Sequence, residues 1–255
     1  MNRIQAEPSA QAAARAEDDR PLRKLGLIGG MSWVSTQSYY QTINRVVQKH
    51  AGTNRSAPIL IESLDFGPLY RIGNDEQHWQ RAAEILSASA RRLEGAGAGA
   101  IVIAANSMHR IHAAVTDAVT IPVFHIADCV AARMRDAKVE CAALIGSANV
   151  MTEDFYRDRL IGQGVTLLPP DTSIIERLDA IIYGELMLGK VTRSAERELK
   201  TIMASLTRVG AQAVVLGCTE LELIVDVNAN ILPVFDGAHI HATAAAEWIL
   251  GINQQ

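Results

Sequence analysis

Short apolar segments alternate with longer amphipathic stretches along most of this chain. The apolar segments are rich in β-branched residues, are bounded by glycine, proline or polar residues, and do not alternate strictly between apolar and polar positions. This pattern predicts parallel strands that are covered on both faces. The predicted strands are Leu25–Ile28, Ile59–Leu64, Ala100–Ala104, Val123–Ile126, Ala142–Ile145, Val165–Leu168 and Ala213–Leu216.

The stretches between these segments carry apolar residues at helical spacing. The predicted helices are Ser35–His50, Trp79–Ala96, Asp171–Leu188 and Ser194–Val209. Gly97 and Gly210 lie just past two of them, where glycine commonly ends a helix. The alternation of strands and helices predicts a doubly wound α/β fold.

The second half of the chain resembles the first half. Leu25–Gly30 (LGLIGG) is echoed by Ala142–Ser147 (AALIGS), and Gly97–Ser107 is echoed by Gly210–Glu220. The two pairs keep the same order and nearly the same spacing, which favours two similar α/β lobes. The alternative is a chance likeness between apolar strand ends, which is common in α/β proteins.

Composition narrows the class of protein. The chain has 255 residues, of which 49% are hydrophobic and 20% charged, and its formal net charge is −4. It contains no basic block or aromatic-interleaved Lys/Arg stripe, so we expect no nucleic-acid partner. No apolar run is long enough for a membrane span. Residues 1–21 lack the apolar centre of a signal peptide, and we expect a disordered leader there.

The cysteines indicate the compartment and one candidate for catalysis. Cys129, Cys141 and Cys218 are odd in number, far apart and without a CxxC pair, which predicts a reducing cytoplasm and no disulfide framework or metal site. Cys218 directly follows an apolar run and Gly217, so it is expected at a strand end and near a helix start. A helix N-terminus lowers a thiol pKa, which would favour a reactive thiolate; a small buried core residue is the alternative.

Four loops follow predicted strands and are expected to converge on one cleft between the lobes, because ligands of open α/β sheets bind beyond the carboxyl ends of the strands. Their small and hydroxylated residues suit a carboxylate or dicarboxylate. The loops are Gly29–Ser35, Ala105–His109, Gly146–Met151 and Cys218–Glu220. The first lacks the GxGxxG spacing of a dinucleotide site. His109 is a candidate for proton transfer, with hydrogen bonding to the backbone as its alternative role.

Several stretches resemble the aspartate/glutamate racemase superfamily, and most of all its bacterial broad-specificity or L-aspartate/glutamate-specific amino-acid racemases. The resemblance covers nearly all of the chain after the leader. The stretches are GLIGGMSW at 26–33, SLDF at 63–66, NSMH at 106–109, DFYR at 154–157, GCTE at 217–220 and PVFD at 233–236.

The resemblance implies a fold of two pseudo-twofold-related lobes, each with a mostly parallel four-stranded sheet flanked by helices. We expect the first lobe to span residues 22–124 plus 236–255, and the second to span 125–235. It also implies a homodimer, and Cα proton abstraction and return on aspartate or glutamate without pyridoxal phosphate or another cofactor. The two proton carriers of this family are cysteines, one from each lobe.

The same resemblance assigns roles to residues of this chain. Cys218 matches the second-lobe cysteine and is the predicted acid/base. Asn106, Ser107, Ser147 and Thr219 match positions that bind the substrate carboxylate, and Met31, Ser32 and Asp65 are further predicted substrate-binding residues. Trp33, Tyr156 and Glu185 are additional candidates for the pocket wall.

The chain departs from the family pattern at two positions. Ala105 stands where the first-lobe cysteine is expected, and alanine can neither donate nor accept a proton. Met187 stands where some members carry a lysine. Three functions therefore remain open: a racemase-type enzyme with one thiol, a one-cysteine decarboxylase of the arylmalonate type, and a binding protein for an acidic amino acid or related carboxylate.

Overall fold

The computed structural model describes residues 21–70, 76–225 and 230–252, and the predicted leader lies almost entirely outside these ranges. The strands form two parallel four-stranded sheets, as predicted. The strands are β1 (Leu25–Gly29), β2 (Ile59–Ser63), β3 (Ala100–Ile103), β4 (Val123–Phe124), β5 (Cys141–Gly146), β6 (Thr166–Leu167), β7 (Ala213–Gly217) and β8 (Val234–Asp236).

The helices lie between the strands and cover the sheets. They are α1 (Trp33–Ala51), α2 (Gly67–Tyr70), α3 (Glu76–Gly95), α4 (His112–Asp117), α5 (Ile126–Asp136), α6 (Ala148–Thr152), α7 (Asp154–Gly162), α8 (Thr172–Gly184), α9 (Arg193–Arg208) and α10 (Gly237–Leu250). Short 3-10 helices occupy Ser107–Ile111, Leu186–Leu188 and Thr219–Leu223. No helix among the described residues is long and apolar enough to cross a membrane.

The two sheets have the same strand order. The first is β2-β1-β3-β4 and the second is β6-β5-β7-β8, and all pairs in both are parallel. Their central pairs also have the same register: Leu25 lies opposite Ala100, and their counterparts in the repeat, Ala142 and Ala213, lie opposite each other. The sequence repeat therefore corresponds to a repeated supersecondary structure.

Successive residues of the central strands face different cores, because strand side chains alternate between the two faces of a sheet. In the first sheet, Leu25 and Leu27 pack with α1 and α10, whereas Ile28 packs with α3. In the second sheet, Leu144 packs with α5 and α7, and Ile145 with α8 and α9. Apolar residues on both faces account for the continuous hydrophobic runs in the sequence.

The predicted strand at Val123–Ile126 is too long. Only Val123–Phe124 pairs with β3, because the His125 ring accepts a hydrogen bond from the Ala127 backbone and starts α5. The predicted strand at Val165–Leu168 likewise shortens to Thr166–Leu167. β8 was not predicted as a strand; it completes the second sheet by pairing with β7.

Four histidines form a cluster between α4, α10, the start of α5 and the 3-10 helix that follows β3. His109, His125 and His241 are almost completely buried, and His112 is half-buried. The ring of His109 lies 4.8 Å from that of His125 and 5.4 Å from that of His241, and Tyr39 Oη lies 2.9 Å from His241 Nδ1. Burial lowers the pKa of each of these imidazoles, that of His241 to about 3, so the cluster is neutral at pH 7.

We predict that this cluster makes the fold sensitive to acid. A histidine whose pKa is lowered by folding binds fewer protons in the folded state, so its stability contribution is complete above pH 6.5 and is lost as the pH falls. Between pH 6.5 and 5, His241 alone accounts for a loss of about 2 kcal/mol in the free energy of unfolding. Urea unfolding at pH 7.5 and 5 should show a smaller pH difference for His241→Asn than for the parent chain. The exposed His239, on the same helix, provides the control: His239→Asn should behave like the parent. An unchanged pH difference in His241→Asn would contradict the assignment.

Candidate active site

A cavity that is open to solvent lies where the central strands of both sheets end, and its empty volume together with its open mouth is about 480 Å³. Most of its lining comes from the four loops that follow β1, β3, β5 and β7. Further lining comes from the residue before α2 and from the end of α8 with the 3-10 helix after it. The lining residues are Met31, Ser35, Phe66, Ala104, Ala105, Asn106, Ser107, Ser147, Ile182, Tyr183, Met187, Gly217, Cys218, Thr219 and Glu220.

The structure brings most of the predicted site residues to this cavity. Those that line it are Met31, Ala105, Asn106, Ser107, Ser147, Cys218 and Thr219. Ser32 and Asp65 are not among the lining residues. The Ser32 hydroxyl accepts a hydrogen bond from Ser35 N at 3.4 Å, and Asp65 Oδ1 accepts one from Gly67 N at 3.0 Å, so each side chain satisfies a helix start.

Cys218 and Ala105 occupy equivalent positions. Each follows the end of the second central strand of its sheet, β7 or β3, and each lines the cavity. The close approach of β5 and β7 needs glycine: a Cβ on Gly146 would lie 2.9 Å from the Gly217 carbonyl, and one on Gly217 would lie 2.5 Å from Val150 Cγ1. These glycines let the Cys218 loop begin directly beside the Ser147 loop.

The residues at the starts of these loops line the cavity, and their side chains do not cap the helices that follow. Asn106, Ser147 and Cys218 each occupy an N-cap position, and none makes a side-chain capping hydrogen bond. Asn106 is 6% exposed, and neither Oδ1 nor Nδ2 has a hydrogen-bond partner among the described residues. A buried amide without partners is costly, which makes Asn106 the candidate among these residues for a hydrogen bond to a ligand in the cavity that it lines.

A hydrogen-bond network surrounds the thiol. Cys218 Sγ donates to Glu220 Oε2 at 3.0 Å, and Thr219 Oγ1 donates to the same oxygen at 2.8 Å. Ser35 Oγ, in the first turn of α1, donates to Thr219 Oγ1 at 2.6 Å. The network therefore links the first lobe to the loop that carries Cys218.

The structure overturns the expectation that Cys218 has a lowered pKa. Burial and the neighbouring Glu220 carboxylate raise the pKa of the thiol well above its usual value, and hydrogen bonds from the Glu220 and Leu221 backbone oppose this only in part. The helix that follows is a single short 3-10 segment, so its N-terminal effect is small beside these two causes. In the free site Cys218 is a protonated thiol.

His109 lies behind the first-lobe loop and does not line the cavity. Its Nδ1 donates to the Ala105 backbone oxygen at 2.9 Å, an assignment that follows because a carbonyl can only accept. Of its two candidate roles, this geometry matches hydrogen bonding to the backbone. Trp33 is 70% exposed, Glu185 accepts from Thr192 Oγ1 at 2.6 Å, and Tyr156 is fully buried, so none of these additional candidates lines the cavity.

Ser35 and Glu220 line the cavity within two of the loops that were expected to converge there, Gly29–Ser35 and Cys218–Glu220, although no role was predicted for either side chain. Phe66, Ile182 and Tyr183 are lining residues that the sequence did not predict. Ile182 and Tyr183 lie at the end of α8, where only the tertiary packing brings them to the cavity, and Met187, the position of the lysine in some family members, lines it from the 3-10 helix Leu186–Leu188. Within residues 21–70, 76–225 and 230–252, no group of three His, Cys, Asp or Glu residues is arranged to hold a metal ion.

Comparison with known proteins agrees with this architecture. The Asp/Glu/hydantoin racemase family model matches residues 28–245. A Yersinia pestis protein provisionally named as an Asp/Glu racemase is 37% identical with a TM-score of 0.83, over 90% of this chain and 100% of that one. An aspartate racemase homologue from Pyrococcus horikoshii OT3 is 30% identical with a TM-score of 0.79, over the same shares. A variant of arylmalonate decarboxylase is 14% identical with a TM-score of 0.52, over 91% of this chain and 95% of that one, and this likeness shows the fold alone.

We predict that Glu220 controls the reactivity of Cys218. In Glu220→Gln the carboxylate charge is absent, so the thiol pKa should fall and the rate of alkylation by iodoacetamide at pH 8 should rise by about tenfold for each unit of that fall. Peptide-resolved mass spectrometry measures the rate at each cysteine. Cys141 is the first residue of β5 and therefore lies at the opposite end of the strand from the cavity. It is the internal control and should react at the same rate in both proteins. A slower Cys218 reaction in the variant would contradict the electrostatic role.

Proposed function

Because the chain belongs to the Asp/Glu/hydantoin racemase family, we propose that it moves a proton at the Cα of a small amino-acid carboxylate, with Cys218 as its single cysteine acid/base. The observation that carries this proposal is that Cys218 and Ala105 lie at equivalent strand ends and line the same cavity. One of the two positions has a thiol and the other has only a methyl group. Aspartate and glutamate, suggested by the names of the solved relatives, are the first substrates to test.

The site supports a proton transfer that needs no pyridoxal phosphate. The Cys218 proton passes to the Glu220 carboxylate, which already accepts its hydrogen bond, and the resulting thiolate takes the proton from Cα. The electron pair left on Cα is delocalised into the substrate carboxylate. Hydrogen bonds from Asn106 and Ser107 stabilise this charge better in a buried site than they would in water. Return of a proton from Cys218 to Cα leaves the thiolate again, and Glu220 then passes its proton back to sulfur, which restores the thiol and the carboxylate.

The face of Cα towards Ala105 has no side chain that carries a proton. Ala105 neither donates nor accepts a proton, so proton return from its side requires water that reaches the cavity. We therefore expect Cα exchange to be faster for one enantiomer than for the other. Net inversion should be slow compared with exchange on the Cys218 side.

A one-cysteine decarboxylase is the second candidate, and the raised pKa of Cys218 favours it. Loss of CO₂ from a malonate leaves a carbanion without any base, and the protonated thiol then supplies the single proton that the product needs. The Glu220 carboxylate beside the thiol favours the amino-acid substrate, because it attracts the ammonium group that a malonate lacks.

We predict one-sided exchange that depends on Cys218. In D₂O, mass spectrometry and NMR of each amino-acid enantiomer should show deuterium at Cα from one enantiomer, and Cys218→Ser should lower that rate by about 100-fold or more. Cys141→Ser is the matched control and should exchange like the parent. CO₂ release from a malonate without amino-acid exchange would establish the decarboxylase. Thermal stabilisation by an amino acid that survives Cys218→Ser, without turnover in the parent, would establish the binding protein.

A cysteine at position 105 should supply the missing carrier. In Ala105→Cys we expect exchange from the second enantiomer and a rise in net racemisation, measured by chiral chromatography. Ala105→Ser is the control: the serine side chain has nearly the size of cysteine, but its hydroxyl is a poor proton carrier. This variant should leave the one-sided pattern in place. Unchanged racemisation in a folded Ala105→Cys protein would mean that residue 105 does not face the substrate.

A further inference from the structure

A chain of buried hydrogen bonds connects helix α1 of the first lobe to the thiol of the second lobe. Ser35 Oγ lies 2.6 Å from Thr219 Oγ1, which lies 2.8 Å from Glu220 Oε2, and Cys218 Sγ lies 3.0 Å from the same carboxylate oxygen. All four side chains are buried. Water therefore competes little for these hydrogen bonds, and changes at one end of the chain are felt at the other.

The direction of each hydrogen bond in this chain follows from its end at Glu220. A carboxylate can only accept, so the single hydroxyl proton of Thr219 is directed to Glu220. Ser35 must then be the donor to Thr219, and its hydrogen bond fixes the Thr219 hydroxyl as a donor to the carboxylate. Glu220 also lines the open cavity, so a carboxylate that loses this fixation has space to turn away from Cys218.

The other titratable groups that face this network are Tyr183 and Glu222. Burial raises the pKa of Tyr183 to about 12, so the phenol is neutral at pH 8. Burial and the neighbouring Asp236 raise the pKa of Glu222, and Ser38 of α1 hydrogen-bonds to this carboxyl group. Ser38 thus also joins α1 to the 3-10 helix at Thr219–Leu223, by a contact that does not involve the Thr219 side chain.

We propose that Ser35 is a positioning residue, which acts through Thr219 to hold the Glu220 carboxylate against the Cys218 thiol. This inference rests on the proposed role of Cys218 as the proton carrier. Because Ser35 belongs to the first lobe and Thr219 to the second, the carboxylate is held in place only while the two lobes are in contact at this edge. The contact between the lobes thereby controls the proton transfer from Cys218 to Glu220.

The test measures alkylation of Cys218 by iodoacetamide at pH 8, without substrate, by peptide-resolved mass spectrometry. Ser35→Ala should raise the rate by about threefold or more, because a carboxylate that turns away lets the thiol pKa fall by about half a unit or more. Thr219→Val breaks the chain of hydrogen bonds at its middle and should raise the rate at least as much. In the Glu220→Gln background, Ser35→Ala should change the rate by less than about twofold, because its effect passes through the Glu220 charge.

Ser38→Ala is the matched control, because it removes a hydrogen bond between the same two helices and leaves Thr219 and Glu220 in place. Its Cys218 rate should stay within about twofold of the parent rate. An equal rise in Ser38→Ala, or a Ser35→Ala effect that persists in full in the Glu220→Gln background, would indicate a general loosening between the lobes and overturn the inference. An unchanged rate in Ser35→Ala would overturn it as well.

The alkylation rates decide this inference independently of turnover. Where the parent chain exchanges Cα protons, Ser35→Ala should lower kcat by about tenfold and leave KM within about threefold, because Asn106 and Ser107 still bind the substrate. A raised KM with an unchanged kcat would place Ser35 on the substrate and overturn the positioning role. Absence of exchange in the parent would contradict the proposed function and leave the alkylation rates to decide the role of Ser35.

Discussion

Parallel pairing of the two central strands in each sheet determines where the cavity lies and what lines it. Because β1–β3 and β5–β7 pair in the same register, the residues that follow β3 and β7 reach the same level at the carboxyl edge. Ala105 and Cys218 are these residues. The glycine pair at the ends of β5 and β7 brings two of the loops into contact, and the hydrogen bond between Ser35 and Thr219 holds the lobes together at this edge. The repeat thus creates a site with two matching positions, and the sequence supplies a proton carrier at one of them.

The electrostatic state of Cys218 follows from the same packing. A buried thiol beside a carboxylate keeps its proton, and the carboxylate that raises its pKa is also the group placed to accept that proton. The resting site is therefore a proton donor, and it becomes a base only when the proton moves to Glu220. Behind the other loop, the neutral histidine cluster presents a ring N–H to the Ala105 carbonyl. Among the described lining residues, charge is confined to the second-lobe side of the cavity, which makes the two faces of a bound Cα chemically different.

The fold and the pair of matching positions could be predicted from the sequence because they depend on local patterns. The buried runs at Leu25–Ile28 and Ala213–Leu216 and their repeat identify the central strands and place Ala105 opposite Cys218 in the alignment of the halves. β8 follows Pro233 and has only three residues, too few for a hydrophobic pattern. The sign of the Cys218 pKa shift could not be predicted, because it depends on burial and on the rotamer of Glu220. Ile182 and Tyr183 reach the cavity only through the packing of α8 against β5, and no pattern in the sequence indicates that packing.

The central claim is that a bound Cα lies between one proton carrier and an inert methyl group. A crystal structure of Cys218→Ser with a bound amino acid tests it most directly, since the serine oxygen marks the place of the thiol. The account predicts Cα about 3.5 Å from that oxygen, with the Ala105 methyl group on the opposite side and the carboxylate on Asn106. A Cα more than about 5 Å from the residue 218 side chain, or a ligand bound outside this cavity, would contradict it.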